Sequence, residues 1–181
     1  VSDDPLQTML PSWKLVSPNI NFQLTAFKKD NTSAAVYKQR YLEQCSHYTG
    51  FEKIFTDGSL KDDSVAAASV SERRLRRPMQ HRLPDGCSIY TAELKAILLA
   101  LKHIYQSRHS HFLVVSDSLS ALQAISTRKI SHPFLADFHD LHSELVGEGK
   151  EIVFLWVPSH MGIQGNDIVD RAAKEALQHD I

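Results

Sequence analysis

Two cysteines, Cys45 and Cys87, are all the thiol chemistry in 181 residues. Neither has a C-x-x-C partner or histidines at metal spacing, which excludes a zinc site and a disulfide framework and favours a reducing compartment, cytoplasmic or nuclear. No apolar run approaches the roughly 20 residues a membrane-spanning helix needs; the longest lies around Ala96 to Leu101. No apolar segment follows a basic N-terminus, so membrane and secretory classes fall away. Internal repeats and low-complexity tracts are missing too. So is an overall basic excess: the formal net charge is -1, and affinity for nucleic acid has to come from a local patch. The chain opens on Val1 rather than methionine, which reads as a fragment of a longer protein.

What remains suffices for one domain, with 43% of residues hydrophobic. Residues 1–50 carry Pro5, Pro11 and Pro18 and only short apolar patches such as Phe22, Leu24 and Phe27. Apart from a helical stretch over 32–48, they read as a connector that packs against the main domain, 51–181, or trails from it. From residue 51 the pattern is regular. A β-rich run over 51–59 ends in the turn signal Asp57-Gly58, and 64–71 (SVAAASVS) and 79–83 follow as strands of an antiparallel meander. Ser88 offers a helix N-cap, and Leu94, Ile97, Leu98, Leu101 and Ile104 fall at helical spacing over 92–105.

The run 111–116 (HFLVVS) reads as a buried strand, followed by Asp117 and a short helix over 119–125. A helical stripe over 134–146 is broken by Gly147 and Gly149. A last strand over 152–157 stops at Pro158, and Asn166 or Asp167 caps a final helix carrying Ile168, Val169, Ala172, Ala173 and Leu177. The order βββ-α-β-α-α-β-α describes an α/β fold built on a mixed sheet.

Four acids stand where elements begin or end: Asp57 at a strand's end, Glu93 in a helix's first turn, Asp117 just after a strand and Asp170 in the last helix. Each has an ordinary structural explanation. Asp57 is a turn former, Glu93 complements a helix dipole, Asp117 caps a helix and Asp170 pairs with Lys174. Together they suggest more, because clustered carboxylates repel one another unless protonated or bridged by cations. Oxygen-only clusters suit hard ions such as Mg2+ or Mn2+, and two such ions serve phosphoryl transfer. One basic patch is visible as well: Arg73, Arg74, Arg76 and Arg77, with His81 and Arg82 close behind. It is either solvated surface or a substrate contact.

The segments FTDGS (55–59), TAELKAILLAL (91–101), VVSDSLSAL (114–122) and WVPSHMGIQGNDIVDRAAK (156–174) resemble the consecutive motifs of the ribonuclease H family, in that family's order. The resemblance covers about 51–178. It implies a ribonuclease H-like fold, a five-stranded mixed sheet in the order 3-2-1-4-5 flanked by helices. It also implies cleavage of the RNA strand of an RNA/DNA hybrid with two Mg2+ ions, Mn2+ being a substitute, held by Asp57, Glu93, Asp117 and Asp170. The family's acid follows its loop histidine by ten positions, which selects Asp170 over Asp167. His160 matches that histidine, a proton shuttle or product-release aid. Backbone near Gly58 and Ser59 would approach the RNA, and Glu93 its 2'-hydroxyl.

Two departures stand out. Ile89, Tyr90, Thr91 and Ala92 occupy positions where cellular members often carry hybrid-holding asparagines, and 126–133, with Arg128 and Lys129, is too short for the family's basic protrusion. Arg73 to Arg77, or a parent protein, would then help to hold the substrate. The wording AELKAILLALKHI and SHMGIQGNDIVDRAAKEAL is closest to the ribonuclease H domains of jockey-like non-LTR retrotransposons, which follow a reverse transcriptase in one polyprotein. The expected partners are therefore the hybrid and that polymerase, with the isolated domain a monomer. Other readings are a degenerate domain that binds without cutting, another nuclease or integrase of the same superfold, and a plain interaction domain whose acids are caps and turns.

Overall fold

The longest strand, β2 (Glu52–Lys61), is central to the sheet, and Ile54 to Asp57 are buried on both of its faces although only Ile54 and Phe55 among them are apolar. It pairs antiparallel with β3 (Ser64–Ser71), which pairs in turn with β4 (Met79–Leu83). On its other side it runs parallel to β5 (His111–Ser116), and β5 runs parallel to β6 (Glu151–Trp156). The five strands predicted from residue 51 onward thus stand in the expected order 3-2-1-4-5. The computed structural model describes residues 11, 14–28 and 31–180. Pro5 and the rest of 1–10, with 12, 13, 29, 30 and 181, lie outside them.

Two expectations need correction. The sheet has six strands, because β1 (Asn19–Asn21), ahead of the region where strands were expected, lies parallel to β6 at the sheet's edge. Three residues are too few to show a strand period. The Asp57-Gly58 pair, moreover, does not turn the chain. β2 continues to Lys61, and the reversal comes at Asp62-Asp63, where Asp62 adopts a left-handed φ of 54° that aspartate tolerates in turns. Gly58 serves close approach instead: a Cβ there would stand 2.9 Å from Ala92 Cβ and 3.0 Å from the Glu93 backbone nitrogen.

The helix that passes so close is α2 (Ile89–Gln106), capped as predicted by Ser88, whose Oγ accepts from the Thr91 N–H at 3.1 Å. With α3 (Leu119–Ile125) and α4 (Pro133–Gly147) it covers one face of the sheet, burying Ile54, Leu94, Leu101, Phe112, Phe138 and Phe154. Pro133 starts α4 where its missing N–H costs nothing. The other face takes α5 (Gln164–Ala176) and α1 (Ala34–Ser46), whose Tyr41 joins the core cluster that holds Phe55, Val70, Leu113 and Leu155. Asn21 ties β1 to this side, donating to Gln44 Oε1 at 2.9 Å and Tyr48 Oη at 3.1 Å. Between α3 and α4 no further helix intervenes, and Arg128 reaches Ser17 at 3.5 Å. Among the described residues no helix is long and apolar enough to cross a membrane, and both cysteines are free.

Candidate active site

Parallel strands end together, and the sheet uses this. Ser116 of β5 lies opposite Thr56 and Trp156, so Asp117 emerges beside Asp57 of β2 and the loop after β6. The Asp57 backbone sits mid-strand rather than at a strand's end, and Glu93 stands in the second turn of α2 rather than the first. The close Gly58–Ala92 approach brings α2 near enough for Glu93 to join them. Ligand oxygens of Asp57, Glu93 and Asp117 all lie within 4.8 Å of one another. A cleft of about 350 Å³ opens over them, lined also by Gly58, Tyr90, His160 and Asp170.

The ordinary explanations for these acids divide. Asp117 does not cap α3; Ser118 does, its Oγ accepting from the Ala121 N–H at 3.3 Å. Asp170 does pair with Lys174, at 2.7 Å, yet it also lines the cleft and repels Asp57. The trio itself has no lysine or arginine partner among the described ion pairs. Burial, then the charges of Asp117, Glu93 and Asp170, push Asp57 up to about 9 against the pull of the Gly58 N–H. Burial and Asp117 push Glu93 up to about 8. Burial also raises Asp117, with hydrogen bonds from Asn166 and Ser159 and the nearness of His160 working the other way.

A buried oxygen, Glu93 Oε2, is left without a hydrogen-bond partner. A full set of hard oxygen donors, short of countercharge and with one lone oxygen, fits a divalent cation of the Mg2+ or Mn2+ kind. Asp57, Glu93 and Asp117 would hold it, with Asp170 at the rim.

His160 lies exposed at the cleft mouth with a left-handed φ of 60°. Gly58 lines the cleft, whereas Ser59, buried at 8% exposure, does not. The arginines are elsewhere. They follow β3 on a 3-10 turn (Glu72–Arg74), where Ser71 faces Ile54 and the Glu72 side chain accepts from the Lys53 N–H. That is the opposite end of β2 from the carboxylates.

Asn166 had been expected as a possible helix cap, and the structure corrects this. Together with Asp167 it stands inside the first turn of α5, which begins at Gln164 after Ile163 with no side-chain cap. Gly165 permits that start, because a Cβ there would meet the Phe55 ring at 2.1 Å. Asn166, 6% exposed, instead turns its amide to Asp117 Oδ2 at 3.5 Å. Ser159, a second partner of Asp117, was likewise not foreseen; its place beside His160 was the only signal. Ile89 and Tyr90 flank the cleft where asparagines were expected to be missed.

A family model described as RNase H matches residues 51–178, a span that holds all four acids, the loop histidine and the five strands of the expected order. The match takes in well over half of the chain, and on it the protein belongs to the ribonuclease H family.

Proposed function

We propose that this chain is an endonuclease that hydrolyses the RNA strand of RNA/DNA hybrids, using two divalent ions held by Asp57, Glu93, Asp117 and Asp170. One observation carries the reading: three carboxylates, Asp57 and Glu93 buried and Asp117 half-buried, converge at an open cleft with no lysine or arginine paired to them among the described ion pairs. Mg2+, or Mn2+ in its place, would supply Lewis-acid charge for activating water and stabilising the departing 3'-oxygen. The remaining work falls to the chain. Asp57, which Asp117, Glu93 and Asp170 all surround closely enough to repel, would be the central ligand. Asn166 and Ser159 fix the Asp117 carboxyl. Gly58 lines the cleft, where its backbone would approach the RNA, whose 2'-hydroxyls distinguish it from DNA. His160, exposed at the cleft, would move a proton or help the product leave.

The phrasing of AELKAILLALKHI and SHMGIQGNDIVDRAAKEAL supports a place after a reverse transcriptase in a jockey-like retrotransposon polyprotein. In that setting the domain removes the RNA template after first-strand synthesis, and the region 1–50, whose β1 and α1 pack onto the sheet, joins it to the polymerase. The test is incubation with labelled RNA/DNA hybrid, single-stranded RNA and double-stranded DNA, in Mg2+, Mn2+ or EDTA, beside Asp57→Asn and Asp117→Asn. Metal-dependent cutting of the hybrid's RNA alone, lost in both variants, is the expected result. An intact hybrid with every metal, from folded protein that binds it, would replace the reading with that of a non-cutting scaffold.

A further inference from the structure

The arginines that follow β3 need an explanation of their own. Arg73, Arg74, Arg76 and Arg77 are all exposed on the turn after Ser71, and Arg108 is exposed just beyond the end of α2. Of these five, only Arg73 has a carboxylate among the described ion pairs, Glu52 at 3.7 Å. Glu52 itself is 4% exposed and already accepts from Ser71 Oγ at 2.5 Å while meeting His103 Nε2 at 3.2 Å. Its charge therefore serves to anchor the floor of the groove and leaves Arg74, Arg76, Arg77 and Arg108 uncompensated. The groove above it, about 400 Å³, is lined by Arg73, Arg74, His103, Gln106 and Arg108 among others, and Arg73 and Arg74 also line an adjoining hollow with Arg76 and Arg77. It shares no residue with the carboxylate cleft.

Like charges gathered on one exposed turn repel one another, and an anion seated among them relieves that repulsion. The chain's balance elsewhere makes the cluster more telling: the whole carries a net -1, so four unpaired guanidiniums at one end are a local excess. Guanidinium forks match phosphate oxygens. A second observation narrows the ligand. Tyr105, 57% exposed, stands on the last turn of α2 one position before the groove residue Gln106. Arginines along a groove, with an exposed aromatic on the helix end that forms its wall, are parts that hold single-stranded nucleic acid, backbone on the charges and a base on the ring.

Distance also favours a single strand. Five residue steps along β2 carry Glu52 to Asp57, about 17 Å at strand rise. A duplex seated on the carboxylates is stiff over roughly 150 base pairs and does not fold back around the domain. A flexible strand does. We propose that the far end of the sheet is a second, non-cutting site that binds the phosphodiester backbone of single-stranded nucleic acid through Arg74, Arg76, Arg77 and Arg108, with Tyr105 stacking on a base. This rests on the basic groove and not on cleavage, so it stands whether or not the carboxylates cut.

The test is fluorescence anisotropy with a labelled oligothymidylate, in EDTA so that no cleavage intervenes, as salt is varied. Wild type is compared with Arg74→Ala/Arg76→Ala/Arg77→Ala, with the same three changed to Lys, with Tyr105→Ala and with Asp117→Asn. Each lost phosphate contact lowers the salt slope by about 0.7 for a single strand, so the triple alanine variant should lose about 2 from its slope. The triple lysine variant keeps the slope, and Tyr105→Ala weakens binding about ten-fold at every salt concentration. Asp117→Asn binds the strand as wild type does, and the triple alanine variant, with an unchanged melting temperature, cuts a short blunt hybrid at the wild-type rate. Two outcomes overturn the proposal: an unchanged slope in the folded triple variant, or displacement of the strand by polyglutamate of equal charge as readily as by unlabelled oligothymidylate.

Discussion

Replacing Asp57 with Asn should make the metal-free protein more stable and the metal-loaded protein less so. Two unit charges 4.8 Å apart, the outer separation of the ligand oxygens in the trio, repel by about 3.5 kcal/mol at an effective dielectric of about 20. The protein avoids that energy by keeping protons: Asp57 sits at about 9 and Glu93 at about 8, both above their ordinary values of 3.8 and 4.5. Raised carboxyls mean that folded protein holds protons the unfolded chain has already released. Stability therefore falls as pH climbs from about 4 through about 9, by about 1.4 kcal/mol per pH unit for each proton retained.

Asparagine keeps the shape and removes one such proton. The slope taken from about pH 4 to about pH 8 gives about 6 kcal/mol as an upper bound. Burying the asparagine amide costs about 3 kcal/mol and the weaker bond from Gly58 about 1 kcal/mol. That leaves a gain near pH 8 in EDTA of about 2 kcal/mol, or about 4–8 °C in melting temperature for a chain of this size. Adding Mg2+ should reverse the ranking, because wild type gains binding energy that the variant lacks. Thermal unfolding followed by circular dichroism, from about pH 6.5 to about pH 8, reads both effects. A variant less stable than wild type in EDTA, with the gap unchanged by pH, would refute the reasoning.

Gly58→Ala forces a methyl within 2.9 Å of Ala92 Cβ and against the Glu93 backbone, and should cost about 1–3 kcal/mol while displacing Glu93. Activity should then fall at temperatures where circular dichroism still shows folded protein. Gly165→Ala drives into the Phe55 ring at 2.1 Å and should cost about 3 kcal/mol, partly recovered in urea melts by adding Phe55→Leu. His142, lowered to about 4 by burial first and by His139 second, is neutral when folded. Its contribution is complete above its ordinary 6.5 and is lost as pH falls toward 4, and His142→Phe should flatten acid melts over that window. His160→Asn, which tolerates the left-handed backbone, should lower kcat about ten-fold or more with KM and melting temperature unchanged.

Most of the fold could be read ahead of the structure because its elements are amphipathic or continuously apolar. The strand over 64–71, the Ser88 cap and the helix carrying Leu94, Leu98 and Leu101 are where periodicity put them. The misreadings share a cause, which is that a local signal served a distant contact. Gly58 looked like a turn and is a clearance for α2; Asn166 looked like a cap and points at Asp117. β1 escaped notice because three residues at an edge carry no pattern of their own and are held by β6 and α1. The site was legible through the motifs, while the convergence of Asp57, Glu93 and Asp117 needed the parallel register that ends β5 and β6 together. The arginine run was visible too, although only the pairing of Ser71 with Ile54 shows which end of the molecule it occupies.

The short β1 strand has a practical consequence. The recognisable motifs begin at residue 51, yet β6 is an interior strand only because Asn19 to Asn21 lie along it. A protein trimmed to the motifs would present Val153, Phe154 and Leu155 as a bare apolar edge and would uncover the sheet face now under Tyr41. Such an edge is a template for pairing with another chain. The smallest unit that carries the chemistry is therefore smaller than the smallest unit that stays dispersed, and expression of the shorter piece should yield aggregates where the longer one is soluble.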